Sequence, residues 1–198
     1  ENGKEQIPKK ELFARMISNA WYTVNYFHLS FGKQDMLQRA IEHIKVFEHF
    51  HIDEDREKII DRLPQSIHTD TIRELNYFDK QVPHWFLSPW FPGINRAEIY
   101  YLSTLSGPNA LYALYPDHIK INPKWKDYLL ENAHVLKSFC YWNLALFLQS
   151  KNPNVPDIPN KLIKPAFRNN LAKQRTQFWD IVIQEHGMVQ CIYTNKEL

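Results

Sequence analysis

Residues 122–149 read NPKWKDYLLENAHVLKSFCYWNLALFLQ, and this stretch decides the fold class. Asn122 suits a helix N-cap and Pro123 suits the first helical position, so a long helix is expected to begin there and run to about Gln149. Trp125, Leu129, Ala133, Leu136, Cys140, Leu144 and Phe147 recur at helical spacing and line one face. Tyr128, Val135, Phe139, Trp142 and Leu146 add a second. The C-terminal half is apolar nearly all round, as expected of a helix at the centre of a bundle. The expected fold is therefore mainly α, a multi-helix domain.

Working upstream, Leu12, Phe13, Met16, Ile17, Ala20, Val24 and Phe27 mark a first helix that Gly32 ends. Leu37, Ala40, Ile41, Ile44 and Phe47 mark a second, and 53–62 reads as a short charged helix stopped by Pro64. Thr71 and Glu74 have the spacing of a capping box for a further, short helix. The run QVPHWFLSPWFPG, residues 81–93, holds three prolines and four large aromatics, so a loop pinned by its aromatics is expected there. A helix over about 95–105 precedes a Gly107-Pro108 turn. LYALYPDHIKIN, residues 111–122, then reads as a small β-hairpin around Pro116-Asp117, the one sheet expected in the main domain.

Downstream, KNPNVPDIPNKLIKP (151–165) carries four prolines and reads as a linker. Leu171, Arg175, Phe178, Trp179 and Val182 set up a last helix, Gly187 is placed to cap it, and 188–193 reads as a strand. The expected organisation is a helical domain over 1–150, a Pro-rich linker over 151–165 and a C-terminal helix-strand extension over 166–198.

Composition narrows the function classes. The 198 residues are 44% hydrophobic and 23% charged, values ordinary for a globular chain, with six Trp. A formal charge of +2 does not make a nucleic-acid binder, so any electrostatic case has to come from local clustering. Two cysteines, Cys140 and Cys191, do not suggest a disulfide framework. The first ten residues lack a secretory core, and the most apolar run, Phe139 to Leu148, is far shorter than the roughly 20 residues of a membrane span. A cytoplasmic protein with no membrane partner is expected.

His43, His49 and His51 lie near Glu42 and Glu48, but 43 and 49 are about 600° apart round a helix at about 100° per residue, so solvated or satisfied histidines are expected rather than a metal site. His84, Asp117 and His118 have no partner that spacing supplies. Trp85, Phe86, Trp90 and Phe91 suit loop packing, with base stacking as the alternative. Cys191 reads as a buried strand cysteine. No Gly-rich phosphate loop or nucleophile elbow is present. Lys161, Lys164, Arg168, Lys173 and Arg175 differ, because positive charge clusters there without an acid and with Asn169, Asn170, Gln174 and Gln177 interleaved. These five are the candidate phosphate-binding residues, a solvated linker and helix face being the alternative.

The tail RNNLAKQRTQFWDIVIQEHGMVQCIYTNKEL (168–198) resembles the entry into the core of HNH endonuclease-like proteins, where an R-x-x-F-W-x-x-V helix leads to a strand and a C-x-Y-C turn. Here those residues are Arg175, Phe178, Trp179, Val182, Cys191 and Tyr193. The preceding segment from Ile121 to Leu162 is similar to the helical region ahead of such cores. The resemblance implies a full-length parent that hydrolyses DNA phosphodiesters with a divalent metal such as Mg. The water-activating His and the metal ligands would follow Leu198, so this chain alone is expected to be inactive, with DNA binding, positioning or assembly as its part. Thr194 stands where the family often has a second zinc-knuckle Cys, and no metal or other cofactor is expected in this chain. A non-catalytic nucleic-acid-binding module and a protein-interaction domain with an exposed aromatic patch are the alternatives.

Overall fold

A computed structural model of the chain describes residues 4–32, 35–105, 109–163, 171–187 and 190. It is mainly α, with a small antiparallel sheet. The chain divides into two compact units, residues 1–165 and 166–198, each described below by itself.

The first unit opens with strand β1 (Gln6–Pro8) and helix α1 (Lys9–Asn25). Helix α1 ends seven residues before Gly32, earlier than the apolar stripe suggests. The buried Asn25 amide turns back to the Trp21 carbonyl at 3.2 Å, and His28 takes up a left-handed φ of 51°. Helices α2 (Met36–Phe47) and α3 (Arg56–Arg62) follow, with side-chain caps from Asp35 and Asp55, and a 3-10 turn over Leu63–Gln65 accommodates Pro64.

Helix α4 (Thr69–Leu87) corrects two sequence expectations. Thr71 and Glu74 do not form a capping box, because the helix has already begun. Thr71 instead donates to Glu48 Oε1 at 2.7 Å, and Glu74 pairs with His43 Nδ1 at 2.9 Å, so both bind α2 and the turn that ends it. Residues 81–87, expected as loop, continue the helix through Pro83, with a 3-10 turn over Ser88–Trp90 after it. Proline removes one N–H and strands the carbonyl four residues back. That carbonyl, Asp79 O, accepts from Arg96 Nη2 at 3.4 Å, and Pro83 O accepts a 2.6 Å bond from the buried Tyr112 hydroxyl.

Helix α5 (Arg96–Thr104), capped by Asn95, leads to the hairpin of β2 (Tyr112–Leu114) and β3 (His118–Ile121). The hairpin matches expectation, but the sheet has a third strand. The order is β1-β3-β2, all antiparallel, with Ile7 opposite Ile119. Pro8, lacking a donor, is tolerated because β1 is an edge.

The deciding stretch folds as two helices rather than one: α6 (Pro123–Glu131), with Asn122 as N-cap, and α7 (Ala133–Lys151). Asn132 marks the break, its side-chain amide competing with the backbone for the Tyr128 carbonyl at 2.9 Å. Helix α7 is also not central. Only Ala145 and Leu148 are buried, and the first unit leaves its second apolar face uncovered. Periodicity identifies apolar faces, but it does not say how many neighbours are available to cover them.

Over its described residues, 151–163, the expected linker is part of the core rather than a free spacer. Helix α8 (Ile158–Ile163) packs on α1 and α7, and Ile158 is fully buried. Asn152 pairs with the Ser30 peptide in both directions, accepting from its N–H at 2.9 Å and donating to its carbonyl at 2.8 Å. The principal core gathers Phe13, Ile17, Trp21, Ile41, Ile44, Ile59, Phe78 and Leu148 among others, and a smaller one under the sheet gathers Leu87, Phe91, Ile99, Tyr112 and Leu114. The second unit contains helix α9 (Leu171–His186), and Gly187, at φ 75°, donates its N–H to the Ile183 carbonyl at 2.9 Å. Gln190 forms a β-bridge, and the rest of the expected 188–193 strand lies outside the described residues.

Candidate functional site

The five candidate cations are placed unequally. Lys161 lies on α8, half-buried, where its ammonium donates to the Pro156 carbonyl and sits 5.9 Å from the Phe27 ring centroid. Part of its charge is thus engaged within the first unit. Lys164 and Arg168 lie outside the described residues. Lys173 and Arg175 fall on α9. On the same helix Phe178 is exposed and meets the half-buried Trp179 edge-on, with centroids 5.2 Å apart.

The histidines are taken up locally. His43 holds the buried Glu74, and His118 hydrogen-bonds Asp117 at 2.8 Å while stacking on Tyr115 at 4.6 Å. The bond from His118 holds the Asp117 carboxyl below the usual range. His84 is buried with Nδ1 unpartnered, and burial, with Arg96 nearby, lowers its pKa. Among the described residues no three of His, Cys, Asp and Glu come together as a metal site would need. The aromatic cluster splits: Phe91 is buried, Trp90 meets Trp125 edge-on at 6.3 Å, and Trp85 and Phe86 are exposed.

Three features escaped sequence reasoning. The first is a buried lysine. Lys9 Nζ lies 2.7 Å from Asp79 and from the Tyr100 hydroxyl, and donates to the Pro116 carbonyl at 3.0 Å. It ties the start of α1 to α4, α5 and the hairpin turn, and such buried charge needs this complete set of partners. The second is Glu48, which accepts from Ser66 and Thr71 and faces Arg62 at 3.7 Å. Both groups join elements that are distant in sequence, so no local pattern announces them.

The third is a cleft of about 760 Å³ whose lining includes the apolar Leu12, Leu136 and Leu144. Arg15, Arg56 and Lys137 line it together with Glu11, Glu57 and the exposed Cys140. Its size is that of a small-molecule site, but its carboxylates offset much of its positive charge. No family model, curated protein or solved structure matches the chain. Among the described residues no helix is long and apolar enough to cross a membrane.

Proposed function

We propose that this chain is the helical region leading into the core of an HNH-type DNA endonuclease, and that it holds and positions DNA in the cytoplasm for phosphodiester hydrolysis by the whole protein. The observation that carries the reading is the order of parts at the C-terminal unit. Arg175, Phe178, Trp179 and Val182 all fall on α9, Gly187 follows with the positive φ that suits glycine, and Gln190 is bridged in β fashion. Cys191 and Tyr193 follow in the sequence. In the resemblance such a helix leads to a strand and a C-x-Y-C turn, and α9 followed by the Gln190 bridge supports the first step of that order. The described residues do not fit the divalent ion that the resemblance implies, and no cleavage step is assigned to them.

The part left to this chain is electrostatic. Lys161, Lys164, Arg168, Lys173 and Arg175 supply cations for phosphate oxygens, with the neighbouring Asn and Gln as neutral donors. Phosphate contacts set position without reading bases. Replacing Lys164, Arg168, Lys173 and Arg175 together with Ala should therefore weaken binding to unrelated duplexes by the same factor. Fluorescence anisotropy at low salt measures this, and unchanged affinity in the quadruple variant would remove the segment's assigned role.

A further inference from the structure

Several lysines of the first unit are held by carboxylates, Lys4 by Glu11, Lys9 by Asp79, Lys58 by Glu54 and Lys126 by Glu5. Lys120 and Lys124 are not. Among the described residues neither ammonium takes part in an ion pair or a hydrogen bond, and no carboxylate lines the pocket they share. That pocket, of about 310 Å³, lies between the end of α5, the β2-β3 hairpin and the start of α6. It exists because its walls are short. Ala113 stands opposite Lys120 across the β2-β3 ladder and contributes only a methyl group, and Ser103, Thr104 and Ala110 add little more bulk.

The neutral side chains Ser103, Thr104 and Asn122 are already committed to the fold. Ser103 donates to the Tyr100 carbonyl at 3.1 Å and accepts from the Leu114 N–H at 3.0 Å, and Thr104 donates to the Tyr101 carbonyl at 2.7 Å. The Asn122 amide donates to the Ala110 carbonyl at 2.9 Å and accepts from the Lys124 N–H at 3.1 Å. The two ammonium groups, each with three donors and no acceptor, are the charge left for a ligand. Two cations in one concavity without an acid call for an anion, and a dianion balances both. A phosphomonoester carries about −1.5 to −2 charge at pH 7 with three strong acceptor oxygens, whereas each phosphodiester of a DNA backbone carries a single charge. The volume stands at the lower end of small-molecule sites. We infer that this pocket binds a phosphomonoester, with Lys120 and Lys124 as its cations. A small phosphorylated molecule and the 5′-phosphoryl end of a DNA strand present this same group. The inference does not rest on the DNA reading, since neither lysine is among the five cations assigned there.

Calorimetric titration of the full chain with methyl phosphate and with dimethyl phosphate tests it, at low salt to limit screening. Methyl phosphate should bind saturably, and dimethyl phosphate, a monoanion, about tenfold or more weakly. Lys120→Gln with Lys124→Gln should reduce methyl phosphate affinity about tenfold or more by removing two charge-assisted contacts. Lys80→Gln, exposed on α4 and outside the lining, should leave it unchanged. Ala113→Leu, which fills the pocket without altering its charge, should also weaken binding and answers independently if the double variant does not fold. Tighter binding of a duplex with 5′-phosphoryl ends than of its 5′-hydroxyl counterpart, with the difference lost in the double variant, assigns the ester to DNA ends. Equal binding of the two duplexes beside saturable binding of methyl phosphate assigns it to a small phosphorylated molecule. The inference is overturned by a wild-type chain that does not bind methyl phosphate saturably or binds the diester equally well. Affinity that survives both the double variant and Ala113→Leu, or that falls in Lys80→Gln, overturns it too.

Discussion

His84 shows how a single buried side chain couples this fold to pH. Its ring is enclosed, its Nδ1 has no partner, and burial holds its pKa below the ordinary 6.5. The unfolded chain therefore binds the proton more readily than the folded one. Stability from this group is present above about pH 6.5 and is lost as pH falls toward the depressed folded value. Glu54 acts further down the scale. Burial would raise its pKa, but hydrogen bonds from Lys58, His51 and Asp55 outweigh that and lower it, so its contribution holds above about pH 4.5 and disappears in more acid solution. Thermal midpoints should fall from pH 7 to pH 5.5 in wild type and fall less in His84→Phe. Equal slopes in the two proteins would show that His84 is not the titrating group. The enclosure of His84 is not legible in the sequence, because the fold makes it, and neither are the partners of Thr71 and Glu74, which are long-range and take the place of the cap their spacing suggests.

Among the elements, those whose determinants are local were readable and those completed from afar were not. Asn122-Pro123, Asn95 and the Pro116-Asp117 hairpin declare themselves within a few residues, and the structure has a cap or a turn at each. Helix α4 continues through Pro83 because Arg96 and Tyr112 take the two carbonyls there, and β1 pairs with a strand more than a hundred residues away. Segment 151–163 is the sharpest case, since its prolines read as a spacer while Ile158 and Asn152 seat it in the core. Ile158→Ala should cost about 2–5 kcal/mol by leaving a cavity. Asn152→Ala should cost about 1–3 kcal/mol by orphaning the Ser30 peptide. Urea titration reads both, and a loss below about 0.5 kcal/mol in each would mean that the segment is not part of the cooperative unit.

At the scale of the molecule, the mainly α architecture was legible from periodicity, whereas the fate of α7 was not. Its sequence is apolar on two faces, yet the first unit supplies neighbours for only one. The candidate DNA site was legible only as a charge cluster, since phosphate binders need no fixed geometry beyond reach and sign. Counterion release converts that cluster into a number. If about three to five of the cations contact phosphates, the logarithm of the binding constant should fall against the logarithm of salt concentration with a slope of roughly −3 to −4.5. The decisive measurement is this slope for the wild-type chain on duplex DNA, set beside that of the Lys164, Arg168, Lys173 and Arg175 quadruple alanine variant. The account predicts a steep wild-type slope that flattens toward zero in the variant. A shallow wild-type slope, or one that the four substitutions leave unchanged, would contradict it.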